Sequence, residues 1–223
     1  MMKMAVLGIF VLVSIGSARA DEFTDARAKY DSGNYLAAIN ELRPIAESGD
    51  ARAQNLIGVM YVLGKGLQAD ANQGAAWILR SASQGDADAQ DNLGRLYYYG
   101  QGVNKDYAES VRWFLRAAEK GNGHAQYRLG VAYEHGLGVR KNVSEAVRWY
   151  RSAATGGYSD ATKALAEFEE RTRLQAKYDA ISGKYADYVA LRENGMHEGA
   201  CLLGYKLAIQ GDQACPGPHD VAV

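Results

Sequence analysis

The sequence predicts an all-α fold, a right-handed α-solenoid of stacked two-helix repeats that ends in an atypical helical C-terminal cap. Three observations support this prediction. Glycines recur with a 36-residue period at Gly49, Gly85, Gly121 and Gly157. The three segments between them align without a gap, and each contains two amphipathic helical patterns separated by a Gly-x-Gly triplet. A single two-helix unit cannot bury its apolar face, so the units are expected to stack into a linear array.

The first twenty residues have the pattern of a secretory signal peptide. Lys3 gives a basic start, Met4 to Val13 is apolar, and the Ala-Arg-Ala sequence at 18–20 has the form of a cleavage site. The apolar stretch is shorter than the roughly 20 residues that span a bilayer. A buried core helix is the alternative interpretation. Cleavage near Ala20 predicts a periplasmic or secreted protein.

The two cysteines fit this compartment. In an oxidising environment Cys201 and Cys215 are expected to form a disulfide, with two free thiols as the alternative. The net charge of the full sequence is −1, which does not mark a nucleic-acid-binding protein.

Capping residues define the predicted helices of each unit. A side chain that can accept hydrogen bonds precedes each helix, and a glycine suited to the left-handed conformation follows the first one. These residues are Asp50, Asp86 and Asn122 before the first helices, Gly64, Gly100 and Gly136 after them, and Asp70, Asp106 and Asn142 before the second helices.

Two further sets of residues in register predict how the helices pack. Small residues on the first helices, Gly58, Gly94 and Gly130, allow two backbones to approach closely. Large residues on the second helices, Trp77, Trp113 and Trp149, are expected to be buried between neighbouring units.

The repeated pattern A-x-x-x-L-G-x-x-Y-x-x-G-x-G-V, followed by D-Y-x-x-[AS]-V-x-W-[FY]-x-x-A-A-x-x-G, resembles the Sel1-like repeat. That family is related to the tetratricopeptide repeat and has a longer loop between its helices. The resemblance covers residues 49–84, 85–120 and 121–156. Residues 21–48 resemble a tetratricopeptide half-repeat and are expected to form the N-terminal cap.

The region 157–223 is interpreted as a degenerate repeat followed by the helical C-terminal cap. A charged amphipathic helix is expected from Ser159 to about Ile181. Two more helices are expected after it, separated near Asn194-Gly195. End units with a polar outer face are typical of repeat arrays.

No motif in the sequence fits a known pattern for catalysis or metal binding. The Gly-x-Gly triplets follow a helix, whereas phosphate-binding loops follow a strand. His197 and Cys201 lie four residues apart, but a zinc site needs three or four ligands and no partner pair has suitable spacing. We therefore predict no enzyme activity, no cofactor and no metal. The activity of cysteine-rich members of the family is not carried over, because the repeats of this chain lack cysteine pairs.

The resemblance implies that the first helices line a concave face. Positions on that face that vary between units, Asp91 and His124 among them, are not expected to contribute to the packing of one unit on the next. We predict that six of the variable residues bind a partner. They are Arg95, Tyr98, Tyr99, Tyr127, Glu134 and His135. Tyrosine and arginine suit protein contacts because they combine apolar area with a polar group. The alternative is that these tyrosines pack on neighbouring loops.

The predicted function is that of a non-enzymatic periplasmic adaptor or inhibitor that binds one protein partner and is monomeric when free. The resemblance implies roles such as inhibition of a membrane sensor, assembly of envelope machinery, or immunity against a secreted antibacterial effector. The alternative from another class is a cell-wall-associated enzyme or ligand-binding protein that acts on peptidoglycan fragments.

Overall fold

The computed structural model describes residues 22–194, and every regular element in that range is an α-helix. The helices are α1 (22–31), α2 (Tyr35–Glu47), α3 (Ala51–Leu63), α4 (Ala71–Ser83), α5 (Ala87–Tyr99), α6 (Tyr107–Glu119), α7 (Gly123–His135), α8 (Val143–Thr155) and α9 (Ser159–Glu193). The all-α class and the 36-residue repeat are confirmed. The predictions for the signal peptide and for Cys201 and Cys215 lie outside the described residues.

The predicted helix ends are also confirmed. In α5 the Asp86 side chain accepts a hydrogen bond from the Ala89 N–H at 2.7 Å, and Gly100 ends the helix with φ +72°. A helix N-terminus has free N–H groups that need such an acceptor. The same arrangement is present in the other two repeats and at the start of each second helix. The residues are Asp50, Asn122, Asp70, Asp106 and Asn142 at the N-caps, and Gly64 and Gly136 at the C-caps.

The glycine of each first helix lies against the second helix of its own unit. A Cβ atom on Gly94 would come within 2.7 Å of the Phe114 ring, and one on Gly130 within 2.5 Å of the Tyr150 ring. Such distances are shorter than carbon atoms tolerate, so only glycine allows this packing. The predicted close approach of the two helices is confirmed.

A buried glutamine joins each first helix to the preceding second helix. The Gln90 side-chain amide donates to the Ala82 carbonyl oxygen at 3.1 Å, near the end of α4. Gln54 and Gln126 make the equivalent bonds, to Ala46 and Ala118. Each of these carbonyl oxygens also accepts from the backbone N–H of the glycine that follows the helix, so the glutamine amide is a second donor that ties the next helix to this turn.

The hydrophobic core is divided into small clusters that each join consecutive units. One cluster combines Ala75 and Ile78 of the first repeat with Leu93 and Trp113 of the second. Trp113 is 7% exposed, which confirms its burial between units. Trp77 and Trp149 pack against the neighbouring clusters but are only partly buried. The prediction that all three tryptophans are buried between units is therefore confirmed only for Trp113.

Helix α9 is longer than the sequence predicted. It continues past Ile181 to Glu193, whereas a break was expected near Ile181. Residues 182–193 contain no proline and a single glycine, Gly183, so no strong helix breaker interrupts them. The chain divides into two compact units between Lys163 and Ala164, inside this helix.

The second unit exposes an apolar stripe on α9. Leu174, Tyr178, Ile181 and Tyr185 are each more than half exposed and follow a spacing of four, three and four residues. Residues with this spacing lie on one face of a helix. Between residues 22 and 194, no helix is both long enough and apolar enough to span a membrane.

Candidate functional site

The first helices of consecutive repeats border two adjoining cavities, which we call the α3–α5 groove. The cavity of about 390 Å³, the apolar pocket, has mostly aliphatic walls. Its lining residues are Val59, Val62, Leu63, Ile78, Asn92, Arg95, Leu96, Tyr99 and Gln101. The cavity of about 420 Å³, the polar pocket, is shared with α1. It is lined by Phe23, Arg27, Tyr30, Arg52, Asn55, Leu56, Val59, Asp86, Asp88, Asp91 and Asn92.

Two of the predicted binding residues, Arg95 and Tyr99, lie at the apolar pocket. The Tyr99 side chain is 50% exposed, and Leu63 on the opposite helix is 57% exposed. Arg95 donates one hydrogen bond, to the Asn92 side-chain oxygen at 3.4 Å. Within the described part of the chain, no carboxylate forms an ion pair with its guanidinium.

A pair of asparagine side chains connects the two helices where the pockets meet. The Asn92 amide nitrogen donates to the Asn55 side-chain oxygen at 3.0 Å. Arginine can only donate, so the bond from Arg95 requires the Asn92 oxygen to face it and the Asn92 nitrogen to face Asn55. The Asn55 amide N–H groups have no acceptor among residues 22–194 and lie in the wall of the groove.

A hydrogen-bonded link joins α5 to α7 beside this groove. Asp91 is buried, and its carboxylate oxygens lie 2.7 and 2.8 Å from His124 Nδ1. Arg128 Nε donates to His124 Nε2 at 3.2 Å. Since an arginine cannot accept, Nε2 is the acceptor, and the contacts fit the tautomer in which Nδ1 carries the proton and donates to Asp91.

One group of tyrosine rings lies beside Arg128, next to the contact between Asp91 and His124. Tyr98 packs edge-to-face between Tyr99 and Tyr107, at centroid distances of 4.9 and 5.1 Å. Arg128 lies 5.7 Å from the Tyr98 ring centroid and donates to the Tyr99 hydroxyl at 3.4 Å. Each of these rings is therefore held by contacts on more than one side.

A second group of rings forms around Tyr127. It lies 5.7 Å from the ring of Tyr150 and 5.6 Å from that of Tyr158. The Tyr150 hydroxyl donates to Glu134 Oε2 at 2.8 Å. Burial, together with the nearby Asp160 carboxylate, raises the pKa of Tyr158, so its hydroxyl stays protonated and available as a donor.

The structure thus places the six predicted residues in three locations. Arg95, Tyr98 and Tyr99 cluster on the second half of α5, while Tyr127 and Glu134 belong to the ring group around Tyr150. His135 is exposed at the end of α7. The packing of Tyr98 and Tyr127 agrees with the alternative that tyrosines contact neighbouring elements. Their role in binding stays a prediction.

Several residues of this surface were missed from the sequence. Asn92 and Arg128 occupy the register of Leu56, a position that was not counted among the variable ones; Leu56 itself is buried in the first repeat. The signal was the change from leucine to asparagine and arginine. Asp91 and His124 were predicted not to hold the stack, and this is wrong: they lie 33 residues apart, one helical turn short of the period, and that spacing brings them together across adjacent repeats.

No metal centre is apparent in this region. Across residues 22–194, no three His, Cys, Asp or Glu side chains are grouped so that they could hold a metal ion. The chemistry that the surface offers is hydrogen bonding, apolar contact and the charge of Arg95.

Comparisons with known proteins identify the repeats. The Sel1 repeat family matches residues 51–86, 87–122 and 123–158. A Sel1 repeat protein from Oxalobacter formigenes is 35% identical, with a TM-score of 0.63, and the match covers 66% of this chain and 59% of that one. The protein c5321, a protective antigen of uropathogenic Escherichia coli with an SLR fold, is 29% identical, with a TM-score of 0.60 over 84% of this chain and 46% of that one.

The chain therefore spans about half the length of these two solved relatives. A comparison with curated proteins found no match.

Proposed function

We infer that the chain acts as a Sel1 repeat protein, because residues 51–158 match that repeat, which mediates protein–protein interaction and is generally non-enzymatic. From this premise we propose that it is a non-enzymatic adaptor or inhibitor that binds one partner protein. The binding surface is the α3–α5 groove together with the adjoining faces of α5 and α7. The free protein is a monomer in this proposal.

One observation carries the proposal. Residues that differ between repeats gather at a groove. Leu63 and Tyr99 are exposed there although their side chains are apolar and aromatic, and the exposed Arg95 has no ion pair among the described residues. Interface hot spots are enriched in tyrosine and arginine, which combine contact area with hydrogen bonding. Residues that are equal in every repeat, such as Gln90 and Gly94, are buried in the scaffold.

We further propose that the protein acts in the periplasm or outside the cell, as an immunity protein against a secreted effector or as a regulator of an envelope sensor. The support is the signal-peptide pattern of residues 1–20. N-terminal sequencing of the native protein should give a chain that starts near residue 21. Thiol titration of the denatured, unreduced protein should find no free thiol from Cys201 and Cys215. An uncleaved N-terminus, or two free thiols, would contradict this part of the proposal.

The first experiment is to identify the partner protein. We expect one protein to be recovered in equal amount when the mature protein is crosslinked and purified from its native cells. Recovery of peptidoglycan fragments, with turnover of purified fragments, would instead support a cell-wall-associated enzyme or ligand-binding protein.

The variant Tyr99→Ala should then weaken partner binding about thirtyfold, since a truncated hot spot costs about 2 kcal/mol. Its melting temperature should change little because half of the side chain is exposed. Arg140→Glu is a matched control, because Arg140 is an exposed residue in the α7–α8 loop, outside both pockets. Equal affinity of wild type and Tyr99→Ala, measured by calorimetry, would contradict the use of this groove.

A further inference from the structure

We propose that the apolar pocket binds a partner segment in which a large apolar side chain lies next to an aspartate or glutamate. The apolar side chain enters the pocket, and Arg95 binds the carboxylate. This inference rests on the proposed protein-binding function and specifies the chemistry of the partner.

The walls of the pocket favour an apolar group. Val59, Val62 and Leu63 of α3 face Leu96 and Tyr99 of α5 across a cavity of about 390 Å³. A binding pocket with mostly aliphatic walls and a few polar groups fixes an apolar group by burial and orients it through the polar ones. Leu63 and Tyr99 remain largely exposed without a partner, so their burial would add to affinity.

The charge of the pocket selects an acidic neighbour. Arg95 is the single charged residue in its lining. Other exposed arginines differ in this respect, since Arg112 pairs with Glu109 and Arg148 with Glu145, each at 2.7 Å, whereas Arg140 has no carboxylate partner among the described residues but lies outside the pocket. Arg95 has no such carboxylate among the described residues.

The reason that Arg95 is unpaired lies one helical turn before it. Asp91 is the acidic residue at position i−4, where an aspartate normally reaches an arginine. Both of its carboxylate oxygens are instead directed to His124 Nδ1, at 2.7 and 2.8 Å. Because the Asp91 carboxylate is bound to His124 of the third repeat, it does not pair with Arg95, and the guanidinium can bind a carboxylate of the partner.

Neighbouring donors can hold the main chain of such a segment. The Asn55 amide N–H groups lie in the groove wall beyond Asn92 and lack an acceptor within residues 22–194. The Tyr99 hydroxyl accepts from Arg128, which leaves its own hydrogen free to donate. Main-chain carbonyl groups of an extended segment are suitable acceptors for both.

The test uses a displayed library of random twelve-residue peptides, selected on the full mature protein. We expect wild type to enrich peptides in which Leu, Ile, Met or Phe is adjacent to Asp or Glu. The Arg95→Glu variant should enrich Lys or Arg in place of the acidic residue, while Arg140→Glu should give the wild-type pattern. For one selected peptide, Arg95→Glu should raise Kd about tenfold or more, as expected for loss of a charge-assisted hydrogen bond.

Several results would overturn the inference. They are enrichment of basic or uncharged peptides by wild type, no enrichment at all, or the same pattern with Arg95→Glu. Self-association of the protein that Arg95→Glu abolishes, seen by sedimentation, would assign the pocket to a second copy and also overturn it. If the native partner binds and depends on Tyr127 or His135 but not on Arg95, this inference fails while the proposed function stands.

Discussion

At the scale of single residues, the second glycine of each Gly-x-Gly triplet fixes the contact between units. A Cβ atom on Gly102 would lie 1.9 Å from the carbonyl oxygen of Ala71, the first residue of α4. On Gly138 it would lie 2.2 Å from the carbonyl oxygen of Tyr107 at the start of α6. The loop of each repeat is thus seated on the first turn of the preceding second helix. The sequence predicts the turn but not this contact, because the spacing of the triplet carries no information about what lies against it.

We expect Gly102→Ala to lower the free energy of unfolding by about 2–5 kcal/mol, from the positive φ and from the displaced loop. Gly121→Ala is the matched control. It also has a positive φ, but a Cβ atom there meets nothing within 4 Å, so the loss should be about 1–2 kcal/mol. Urea denaturation of both variants measures the difference. Equal losses would show that the loop does not hold the preceding helix.

At the scale of the helix, the buried glutamines determine how one unit meets the next. Gln54 donates to the Ala46 carbonyl oxygen at 3.0 Å and accepts from the Gln84 amide at 2.8 Å. These bonds connect the ends of α2 and α4 through the start of α3. A polar residue in the apolar face of a helix is stable only with such partners.

The variant Gln54→Ala should therefore cost about 1–3 kcal/mol, because it removes two hydrogen bonds from a buried side chain, the one to the Ala46 carbonyl oxygen and the one from Gln84. Gln84→Ala removes one bond from an exposed side chain and should cost less than about 1 kcal/mol. Thermal unfolding of the two variants compares them directly. A larger loss for Gln84→Ala would contradict the assigned role of Gln54.

Whether a feature could be predicted from the sequence depends on whether local residues or contacts between distant residues determine it. Caps and turns depend on local chemistry, so Asp86 and Gly100 were found from the sequence. The continuation of α9 past Ile181 was not predicted, although residues 182–193 contain no proline and a single glycine. The partnership of Asp91 with His124 depends on the alignment of two repeats in space, which a list of variable positions does not contain. For the same reason the role of Arg128 became visible only in the structure.

Helix α9 offers a test of its own. Gly183 lies in its interior, and a Cβ atom there meets nothing within 4 Å. Gly183→Ala should thus stabilise the helix by about 0.5–1 kcal/mol, through the lower backbone entropy of alanine. Hydrogen exchange of amides 178–190 should slow in this variant. Faster exchange there would contradict the continuous helix.

At the scale of the whole molecule, stability is distributed along a line of junctions. Each core cluster joins consecutive units, and helix contacts run from each helix to the next between α2 and α8. In such an array the free energy of folding is approximately a sum of unit and nearest-neighbour terms. The loss of one junction should then be felt most on its two sides.

Trp113→Ala should lower the free energy of unfolding by about 3–5 kcal/mol, since the ring is buried between the first and second repeats. Hydrogen exchange should accelerate most in α4, α5 and α6 and least in α2. Trp77→Ala, at a partly buried ring, should cost less. A uniform acceleration over residues 22–163 would indicate global cooperativity instead of nearest-neighbour coupling.

The bonds between repeats have one more property, their span along the chain. His124 binds Asp91 over 33 residues, Asn122 binds Asp88 over 34, and Asn92 binds Asn55 over 37. None of these bonds spans much more than one period, so the contact order is low and folding is expected to be fast. A chain of this kind can fold progressively from its N-terminus, because each new unit needs only the unit before it as a template. Synthesis would then complete the α3–α5 groove, with Arg95 at its rim, before the later helices have emerged.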